Sequence, residues 1–560
     1  MVFTGTGLTS EQFMKKPQNE PTLTYKKGSE ERKALEEALK EMSEQTFEVP
    51  VVIGKERIYN NLDGKQLVPT DHQKVIARYA NATAEQIKHA IDVALEARHE
   101  WDRKPMRERA EILLRAADLL AGKYRMKVNA ATMLGQGKNI VQAEIDGACE
   151  LTDFFRFNSM FALGYEQYQP TSTPTSKNSM ILRGFEGFVA AVTPFNFTAI
   201  GGNLPTAPTL MGNVVLWKPA STAILSNYIV YQVLEEAGMP PGVISFLPSK
   251  GNVFGPTITA SPHLAAINFT GSVPTFQWLW KAVADNIDKY SMASFLLSGS
   301  LTFLKQLLYT LLLECGGKNF HFIHPSANLD VATACTMRAG YEYQGQKCSA
   351  CSRLYVPESL WPAMKAKMSA IAKEIKVRDP SIFMAAIIDK SAFNTIVEYI
   401  EYAKTGADGA EIIYGGTYDS SKGYFIQPTL VQVKNWDARL LKEEIFGPII
   451  TAYVYPDKDV DKVVSGLKDA TPFGLTGGVF AEDKAFLEKA KDMLRDAVGN
   501  MYLNDKSTGA VVGQQPFGGA RMSGTNDKAG GPHYPLKWTS PLCIKETTVP
   551  LTEWRYPSMD

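Results

Sequence analysis

Cys348 and Cys351 form a C-x-x-C pair in the stretch YQGQKCSACSR. Such a pair can be a redox dithiol, half of a zinc site, or one catalytic thiol beside an inert one. Structural zinc usually takes four ligands as two close pairs, and the sequence has no second C-x-x-C. A redox dithiol would open a helix early in a small domain, whereas this pair lies deep in a long chain. A single nucleophile is therefore favoured, and two buried, inert thiols are the alternative.

The chain from Gly184 onward predicts strands that could position such a thiol. Three apolar stretches, GFVAAVTPFNF, NVVLWKPAS and LAAINFTGSVPTF, each predict a strand, and residues 225–238 predict a helix. This order predicts parallel βαβ units, whose ligands bind beyond the carboxyl ends of the strands. Loops also begin at strand ends, but five chemically useful residues in succession favour a site: Thr193, Asn196, Lys218, Gly271 and Ser272.

The remaining sequence fits an α/β fold class without a strongly charged partner. Thr83 and Gln86 have capping-box spacing, and a second helix is expected between Pro105 and Gly122. The 560 residues are 45% hydrophobic and 21% charged, which is typical of about two to four globular domains. Lys plus Arg equals Asp plus Glu at 59 each, so binding to nucleic acid or a membrane surface is not expected.

The cysteine count and the first residues bear on the cellular compartment. Six cysteines in this length favour a reducing compartment over a disulfide framework. The first twenty residues have no signal-peptide-like apolar run, contain no arginine and include Glu11 and Glu20. They match neither a secretory signal nor a mitochondrial transit peptide well, so we expect an intracellular location.

Four phrases, in their places along the chain, resemble the aldehyde dehydrogenase superfamily: TPFNFTAIGGN, LECGGKNF, GQKCSACSR and KEEIFGP. Longer stretches, including FRFNSMFALGYEQYQP, NDKSTGAVVGQQPFGGARMSGTNDKAGGPHY and KWTSPLCIKET, are similar to the delta-1-pyrroline-5-carboxylate dehydrogenase family. The resemblance implies a Rossmann-like NAD-binding domain, an α/β catalytic domain and a β-flap for oligomerisation. It also implies oxidation of L-glutamate γ-semialdehyde to L-glutamate with NAD+, the second step of proline breakdown, in the mitochondrial matrix of eukaryotes.

By this resemblance Cys348 is the nucleophile, because a thiolate adds readily to an aldehyde carbon. Asn196 would donate a side-chain N–H to the hemithioacetal oxyanion, and the Cys348 backbone N–H would be the second donor. Once hydride transfer leaves a thioester, Glu314 would be the base for the hydrolytic water. A glutamate seen alone is by default a helix cap or a surface carboxylate, so this role depends on the whole set.

The resemblance also implies the ligand contacts. Lys218 would hydrogen-bond the adenosine ribose of NAD, although such a lysine could also simply be solvated. Some relatives reject a 2′-phosphate with a glutamate three positions later, where this chain has Ser221. The other implied cofactor contacts are Thr193, Gly271 and Ser272 along the adenosine and pyrophosphate, and Glu444 on the nicotinamide ribose. The implied substrate contacts are Ser349 and the N–H groups of Gly509 and Ala510 for the α-carboxylate, and Phe517, otherwise a core aromatic, for the aliphatic part.

Two segments depart from the family pattern. Residues 291–313, before Glu314, look like an insertion of roughly fifteen residues, and residues 377–386 look shortened. An impaired homologue of the same fold, or a dehydrogenase for another semialdehyde, is therefore the alternative function. We expect a small-molecule aldehyde substrate, no metal and a homodimer. The expected domains are an N-terminal extension (1–40), an NAD-binding domain (41–313, with a flap at 165–182), a catalytic domain (314–505), and a substrate-anchor loop with an oligomerisation tail (506–560).

Overall fold

The computed structural model describes residues 16–286, 289–290, 311–378 and 382–559. Within them lie two seven-stranded sheets, and the strands of the first are, in spatial order, Leu311–Glu314, Leu264–Thr270, Phe188–Val192, Val214–Lys218, Ile244–Phe246, Val51–Ile53 and Glu56–Ile58. Neighbours among the first five are parallel, and the last two strands are antiparallel additions. The strands predicted from the sequence are confirmed. They are buried until their last residue, so their carboxyl ends emerge at one edge.

The second sheet is also mainly parallel. Its strands are, in spatial order, Glu411–Tyr414, Thr429–Val433, Ile449–Tyr455, Cys351–Pro357, Asn319–Ile323, Thr476–Phe480 and Asn500–Leu503. Only Glu411–Tyr414, at one edge, pairs in the antiparallel direction within this sheet. The remaining described strands form smaller sheets: Phe47–Val49 with Asp71–Tyr79 and Gly64–Val68, Tyr418–Asp419 with Phe425–Ile426, and Phe473–Gly474 with Ala520–Arg521.

A short crossing between the two sheets brings distant residues together. Thr270 pairs with Glu314, so Glu314 lies at the carboxyl end of the edge strand of the first sheet. Five residues later Asn319 begins a strand of the second sheet and pairs with Cys351. The thiol loop, residues 342–350, carries Cys348 and leads into the strand that begins at Cys351. The crossing therefore places this loop beside Glu314.

Helices cover both sheets, and their ends follow local sequence signals. Thr83 and Gln86 form a complete capping box, and the helix begun at Met106 ends at Gly122, as predicted. A π-helical turn, Glu144–Cys149, interrupts a longer helical run. The α-helices among the described residues are Glu30–Ser43, Ala84–Arg103, Met106–Ala121, Arg125–Gln136, Ile140–Ala143, Glu150–Tyr165, Thr198–Leu210, Ile224–Glu236, Gly251–Thr259, Val273–Ala284, Leu329–Tyr341, Trp361–Glu374, Lys390–Lys404, Arg439–Lys442, Val460–Gly466, Lys484–Met493 and His533–Leu536.

A two-stranded flap lies apart from the main sheets. Strand Ser176–Arg183 pairs antiparallel with Ser540–Thr547 near the end of the chain. Apolar side chains on it are exposed, including Ile181, Leu542 and Ile544. Within the described residues, no helix has both the length and the apolar character needed to cross a bilayer.

The segments singled out by sequence have different outcomes. Of residues 291–313, only the last three are described, and they belong to the strand that carries Glu314; residues 291–310 lie outside the described residues. In the shortened segment, Val377 forms a bridge with Met384, and residues 379–381 are not described. The described part of the predicted N-terminal extension packs on the rest of the chain, because helix Glu30–Ser43 contacts helix Arg125–Gln136.

Candidate active site

A cavity of about 360 Å³ lies where the two sheets meet. Six of the residues predicted from the sequence line it: Glu314, Cys348, Ser349, Gly509, Ala510 and Phe517. They come from the edge of the first sheet, the loop before Cys351–Pro357, and the loop after strand Asn500–Leu503. The structure therefore brings the predicted nucleophile, base and substrate contacts into one cavity.

The loop that carries Cys348 has an unusual backbone. Tyr343 and Gln344 have φ values of 52° and 56°, a left-handed conformation that costs free energy for residues other than glycine. The Tyr343 hydroxyl donates to the Gln136 carbonyl over 2.8 Å, and the Gln344 side chain donates to the Ala386 carbonyl over 2.8 Å. These bonds hold the strained turn in place and thereby fix the entry to the thiol loop.

Asn196 lies beside this loop and is 5% exposed. One N–H of its side-chain amide donates to the Gln346 carbonyl over 3.1 Å. An amide nitrogen carries two N–H groups, so the second remains for another acceptor. Asn196 is thus oriented by the backbone two residues before Cys348, as an oxyanion donor would need to be.

Glu314 is not the surface carboxylate that its residue type alone would suggest. Burial raises its pKa to about 7, and the nearby Lys528 ammonium opposes part of that rise. A carboxyl group with a pKa near 7 can accept a proton at neutral pH and can also release it, which suits a general base. The pair Gly316–Gly317 follows at once, and a Cβ on Gly316 would overlap the carboxylate of Glu444.

The two cysteines of the C-x-x-C pair have separate environments. Cys348 is partly exposed in the cavity wall, and burial with the Glu314 and Glu444 carboxylates raises the pKa of its thiol well above the ordinary range. Cys351 is 1% exposed, begins a strand, and donates to the Arg353 carbonyl at 3.5 Å. Both thiols are free, so the pair is not a disulfide here.

The predicted cofactor residues lie outside this cavity. Burial lowers the pKa of Lys218 to about 8, and among the described residues its ammonium makes one hydrogen bond, a 3.5 Å contact with the Pro219 carbonyl. Burial raises the pKa of Glu444 to about 7, and one of its oxygens accepts the Gly317 N–H over 2.7 Å. A largely desolvated ammonium and carboxylate with unused hydrogen-bonding capacity fit the ribose hydroxyls of a dinucleotide.

The other predicted cofactor residues are partly engaged already. The Thr193 hydroxyl accepts from the Trp217 indole over 3.2 Å, and the Gly271 N–H donates to the Glu314 carbonyl over 3.1 Å. Gly271 therefore cannot offer that N–H to a pyrophosphate without losing this bond. Ser272 caps helix Val273–Ala284 by accepting from the Thr275 N–H, and Pro274 in the same turn has no N–H, so this helix start offers few free donors to a pyrophosphate.

Sequence reasoning missed a charged wall of the same cavity. Asp146, Glu150 and Lys347 line it, and Lys347 lies 3.5 Å from the Asp146 carboxylate. Burial and the neighbouring Asp146 carboxylate raise the pKa of Glu150, whose side chain has no hydrogen-bond partner among the described residues. The π-helical turn presents Asp146 and Glu150 to the cavity, and such turns recur at functional sites. Of these three residues, only Lys347 could have been found from the sequence, because it lies directly before Cys348.

Comparison with known proteins decides the family. The model described as "Aldehyde dehydrogenase family" matches residues 63–541. This chain belongs to the aldehyde dehydrogenase family. The dehydrogenase is 52% identical over 545 residues to the Mus musculus protein named "Delta-1-pyrroline-5-carboxylate dehydrogenase, mitochondrial", covering 97% of this chain and 94% of that one. It is 50% identical over 562 residues to the Homo sapiens protein of the same name, covering 100% and 97%.

A solved structure gives the same result for the fold. The dehydrogenase matches the crystal structure of the delta-pyrroline-5-carboxylate dehydrogenase from Mycobacterium tuberculosis bound with NAD. The TM-score is 0.90 at 43% identity, and the match covers 97% of this chain and 98% of that one. The aldehyde dehydrogenase fold predicted from the sequence is therefore confirmed.

Proposed function

We propose that this dehydrogenase oxidises L-glutamate γ-semialdehyde, the open-chain form of delta-1-pyrroline-5-carboxylate, to L-glutamate with NAD+ in proline catabolism. The observation that carries the proposal is the single cavity that joins Cys348 and Glu314 to Ser349, Gly509 and Ala510. The close relatives carry the name of this activity over nearly their whole length. NAD+ supplies the hydride acceptor when it is bound.

Cys348 is the nucleophile in this proposal. Its thiol is neutral at rest because its pKa is raised, so addition to the aldehyde requires loss of the thiol proton. Glu314, in the same cavity and with a pKa of about 7, can accept that proton. The oxyanion that forms on the substrate then receives the free N–H of Asn196 and the backbone N–H of Cys348.

Glu314 also acts in the second half of the reaction, after it has released the thiol proton to solvent and is ionised again. Once the thioester is formed on Cys348, hydrolysis requires a base that removes a proton from water. Glu314 lines the cavity, and its ionised fraction changes around neutral pH. Its carboxylate activates the water, and the released product carries a new carboxylate while Cys348 regains its proton.

A second group of residues in the cavity recognises the substrate's charged end. The N–H groups of Gly509 and Ala510, with Ser349, bind the α-carboxylate, and Phe517 packs on the aliphatic chain. Glu150 is available for the α-ammonium, because its carboxyl is buried in the cavity wall with no hydrogen-bond partner among the described residues. An ammonium beside it would supply the opposite charge that ionised, buried carboxylates require.

Lys218 and Glu444 hold the two riboses of NAD in this proposal, with Thr193, Gly271 and Ser272 along the adenosine and pyrophosphate. The mitochondrial matrix is the proposed location, in line with the names of the relatives. A homodimer is proposed because the flap exposes Ile181, Leu542 and Ile544, apolar residues suited to a second copy.

An aldehyde panel with NAD+ tests the function. Glutamate semialdehyde, succinic semialdehyde and butanal are compared by NADH formation. We expect glutamate semialdehyde to have the highest kcat/KM, because only it carries both the α-carboxylate and the α-ammonium. A higher kcat/KM for succinic semialdehyde would favour the other semialdehyde function, and no NADH with any of the three would favour an impaired homologue.

A further inference from the structure

The N-terminal strap, residues 19–25, forms part of the wall of the active-site cavity. Asn19, Glu20 and Thr22 line the same space as Cys348 and Gly509. No motif in this part of the sequence indicated a site, and the segment was expected to be a plain extension. Its position raises the question of what the strap does for the residues around it.

Asn19 contacts the substrate-anchor loop, residues 507–517, through both the nitrogen and the oxygen of its side-chain amide. Its nitrogen donates to the Val512 carbonyl over 2.9 Å and to the Asp153 carboxylate over 2.7 Å. Its oxygen accepts from the side-chain nitrogen of Gln514 over 2.9 Å. Three hydrogen bonds thus use most of the capacity of one side chain and tie the middle of the loop to helix Glu150–Tyr165.

The strap itself is held firmly, so it can act as a support. The Glu20 carboxylate accepts from Arg125 over 2.6 Å and from Arg156 over 2.7 Å, and the Glu20 N–H donates to Asp153 over 2.7 Å. Farther along, the Leu23 N–H and the Tyr25 hydroxyl both donate to the buried Glu144 carboxylate. These bonds to charged partners are stronger than ordinary ones and fix Asn19 in space.

Both ends of the anchor loop are fixed by other contacts, and among the described residues the side-chain hydrogen bonds from outside the loop to its middle come from Asn19. At the start, the Ser507 N–H donates to His321 over 3.2 Å. At the end, the Phe517 N–H donates to the Ala529 carbonyl over 2.9 Å. In the middle, Gly513 has a backbone bond to the Gly530 carbonyl, and Asn19 holds the residues on either side of Gly513.

We propose that Asn19 is a positioning residue that orders the anchor loop so that the Gly509 and Ala510 N–H groups meet the substrate α-carboxylate. The inference rests on the proposed function, because it assumes that these N–H groups bind that carboxylate. Donors held in place before binding lose little entropy when the ligand arrives, so loss of the support weakens binding of the carboxylate-bearing substrate. An aldehyde without a carboxylate does not use these N–H groups, so its reaction with Cys348 does not depend on the ordering of the loop.

The experiment compares Asn19→Ala with the exposed neighbour Gln18→Ala in the full chain. KM and kcat are measured with glutamate semialdehyde and with butanal at saturating NAD+. We expect Asn19→Ala to raise KM for glutamate semialdehyde about 10-fold, with kcat, the butanal constants and all Gln18→Ala values unchanged within about two-fold. Gln514→Ala, which removes only the exposed donor to Asn19, should raise the same KM by a smaller factor.

Two results would overturn the inference. One is an equal loss with both aldehydes, which would mean that Asn19 only stabilises the fold, and the other is an unchanged KM in both Asn19→Ala and Gln514→Ala. The failure of the proposed function is visible separately in the wild-type protein. If the wild-type enzyme had equal kcat/KM values for butanal and glutamate semialdehyde, the proposed carboxylate site would be excluded. This role for Asn19 would then be excluded as well.

Discussion

The side-chain nitrogen of Asn319 lies 2.6 Å from the carbonyl oxygen of Cys348 and 2.9 Å from that of Ala350. Its amide oxygen accepts the Thr476 N–H over 3.0 Å. One buried side chain therefore ties the backbone of the thiol loop to the neighbouring strand of the second sheet. This contact holds the backbone of Cys348, the proposed nucleophile, in place.

Replacement of Asn319 tests this support. Asn319→Ala leaves two carbonyl oxygens without their donor, so we expect kcat to fall about 10-fold and the free energy of unfolding to fall by about 1–3 kcal/mol. Steady-state NADH formation and denaturant unfolding measure the two effects. Asn394→Ala, an exposed asparagine on helix Lys390–Lys404, is the control and should change neither. A full kcat in Asn319→Ala would show that other contacts suffice.

Separate substitution of the two cysteines tests the single-nucleophile interpretation. Cys348→Ser should lower kcat by about 10³-fold or more, because the hydroxyl is a much weaker nucleophile in this site. Cys351→Ser should keep kcat within about three-fold, although it places a hydroxyl in a buried position and lowers the melting temperature. Equal loss of activity in both variants would instead support a dithiol mechanism.

The pH dependence of kcat should report Glu314. Its pKa is raised to about 7, and only the ionised carboxylate can remove a proton from water. Activity should therefore rise as pH increases through about 7 and level off above it. Glu314→Gln should remove this limb and lower the rate of NADH formation in the first turnover as well as in the steady state, because the carboxylate takes a proton in both halves of the reaction. A wild-type profile that stays flat between about pH 6 and 8 would contradict the assignment.

Substitution of Lys528 tests the pKa of Glu314 by removing the positive charge beside it. Its positive charge lowers the pKa of Glu314, so Lys528→Met should raise that pKa and move the acid limb of kcat to higher pH. Lys528 also donates to the Gly499 carbonyl over 2.6 Å and the Gly518 carbonyl over 3.1 Å, so the variant will lose stability as well. A loss of stability lowers the rate without moving the acid limb, so a shift of the limb to higher pH would show the electrostatic effect. A lower rate with an unmoved limb would exclude that electrostatic effect.

Lys218 should matter for the cofactor and little for the aldehyde. Within the part of the chain that the structure describes, its partly buried ammonium has no acceptor closer than the Pro219 carbonyl, so a ribose hydroxyl there would make a charge-assisted hydrogen bond worth about 1.5–3 kcal/mol. Lys218→Ala should raise KM for NAD+ about 10- to 100-fold and leave KM for glutamate semialdehyde within about two-fold. Lys250→Ala, at an exposed position before helix Gly251–Thr259, serves as the control. An unchanged KM for NAD+ in Lys218→Ala would contradict the assignment.

Much of this architecture was predictable because its signals are local. Strand Val214–Lys218 ends at a lysine after an apolar run, and Thr83 and Gln86 mark a helix start by their spacing alone. Glu314 and Cys348 could be linked because each lies in a distinctive phrase. In these cases a few consecutive residues carry the signal, although the predicted roles of Glu314 and Cys348 depend on the whole set of phrases.

The missed residues have the opposite property. Glu150 faces the cavity because a π-helical turn precedes it, and π-turns have no reliable sequence pattern. Asn19 is a polar residue in a segment without periodicity, and its partners lie on a helix and a loop elsewhere in the chain. Lys528 acts through three acceptors that only the folded chain assembles. Tertiary contacts of this kind cannot be read from spacing.

The bond between Asn19 and Val512 spans 493 positions of the chain. Closing a loop of that length carries a large entropic cost, and such contacts form late in folding. During synthesis the first sheet can assemble while most of the second is still unmade, yet the cavity stays open on one side until residue 512 has left the ribosome. A nascent chain can therefore hold its first sheet in folded form long before the cavity around Cys348 is complete.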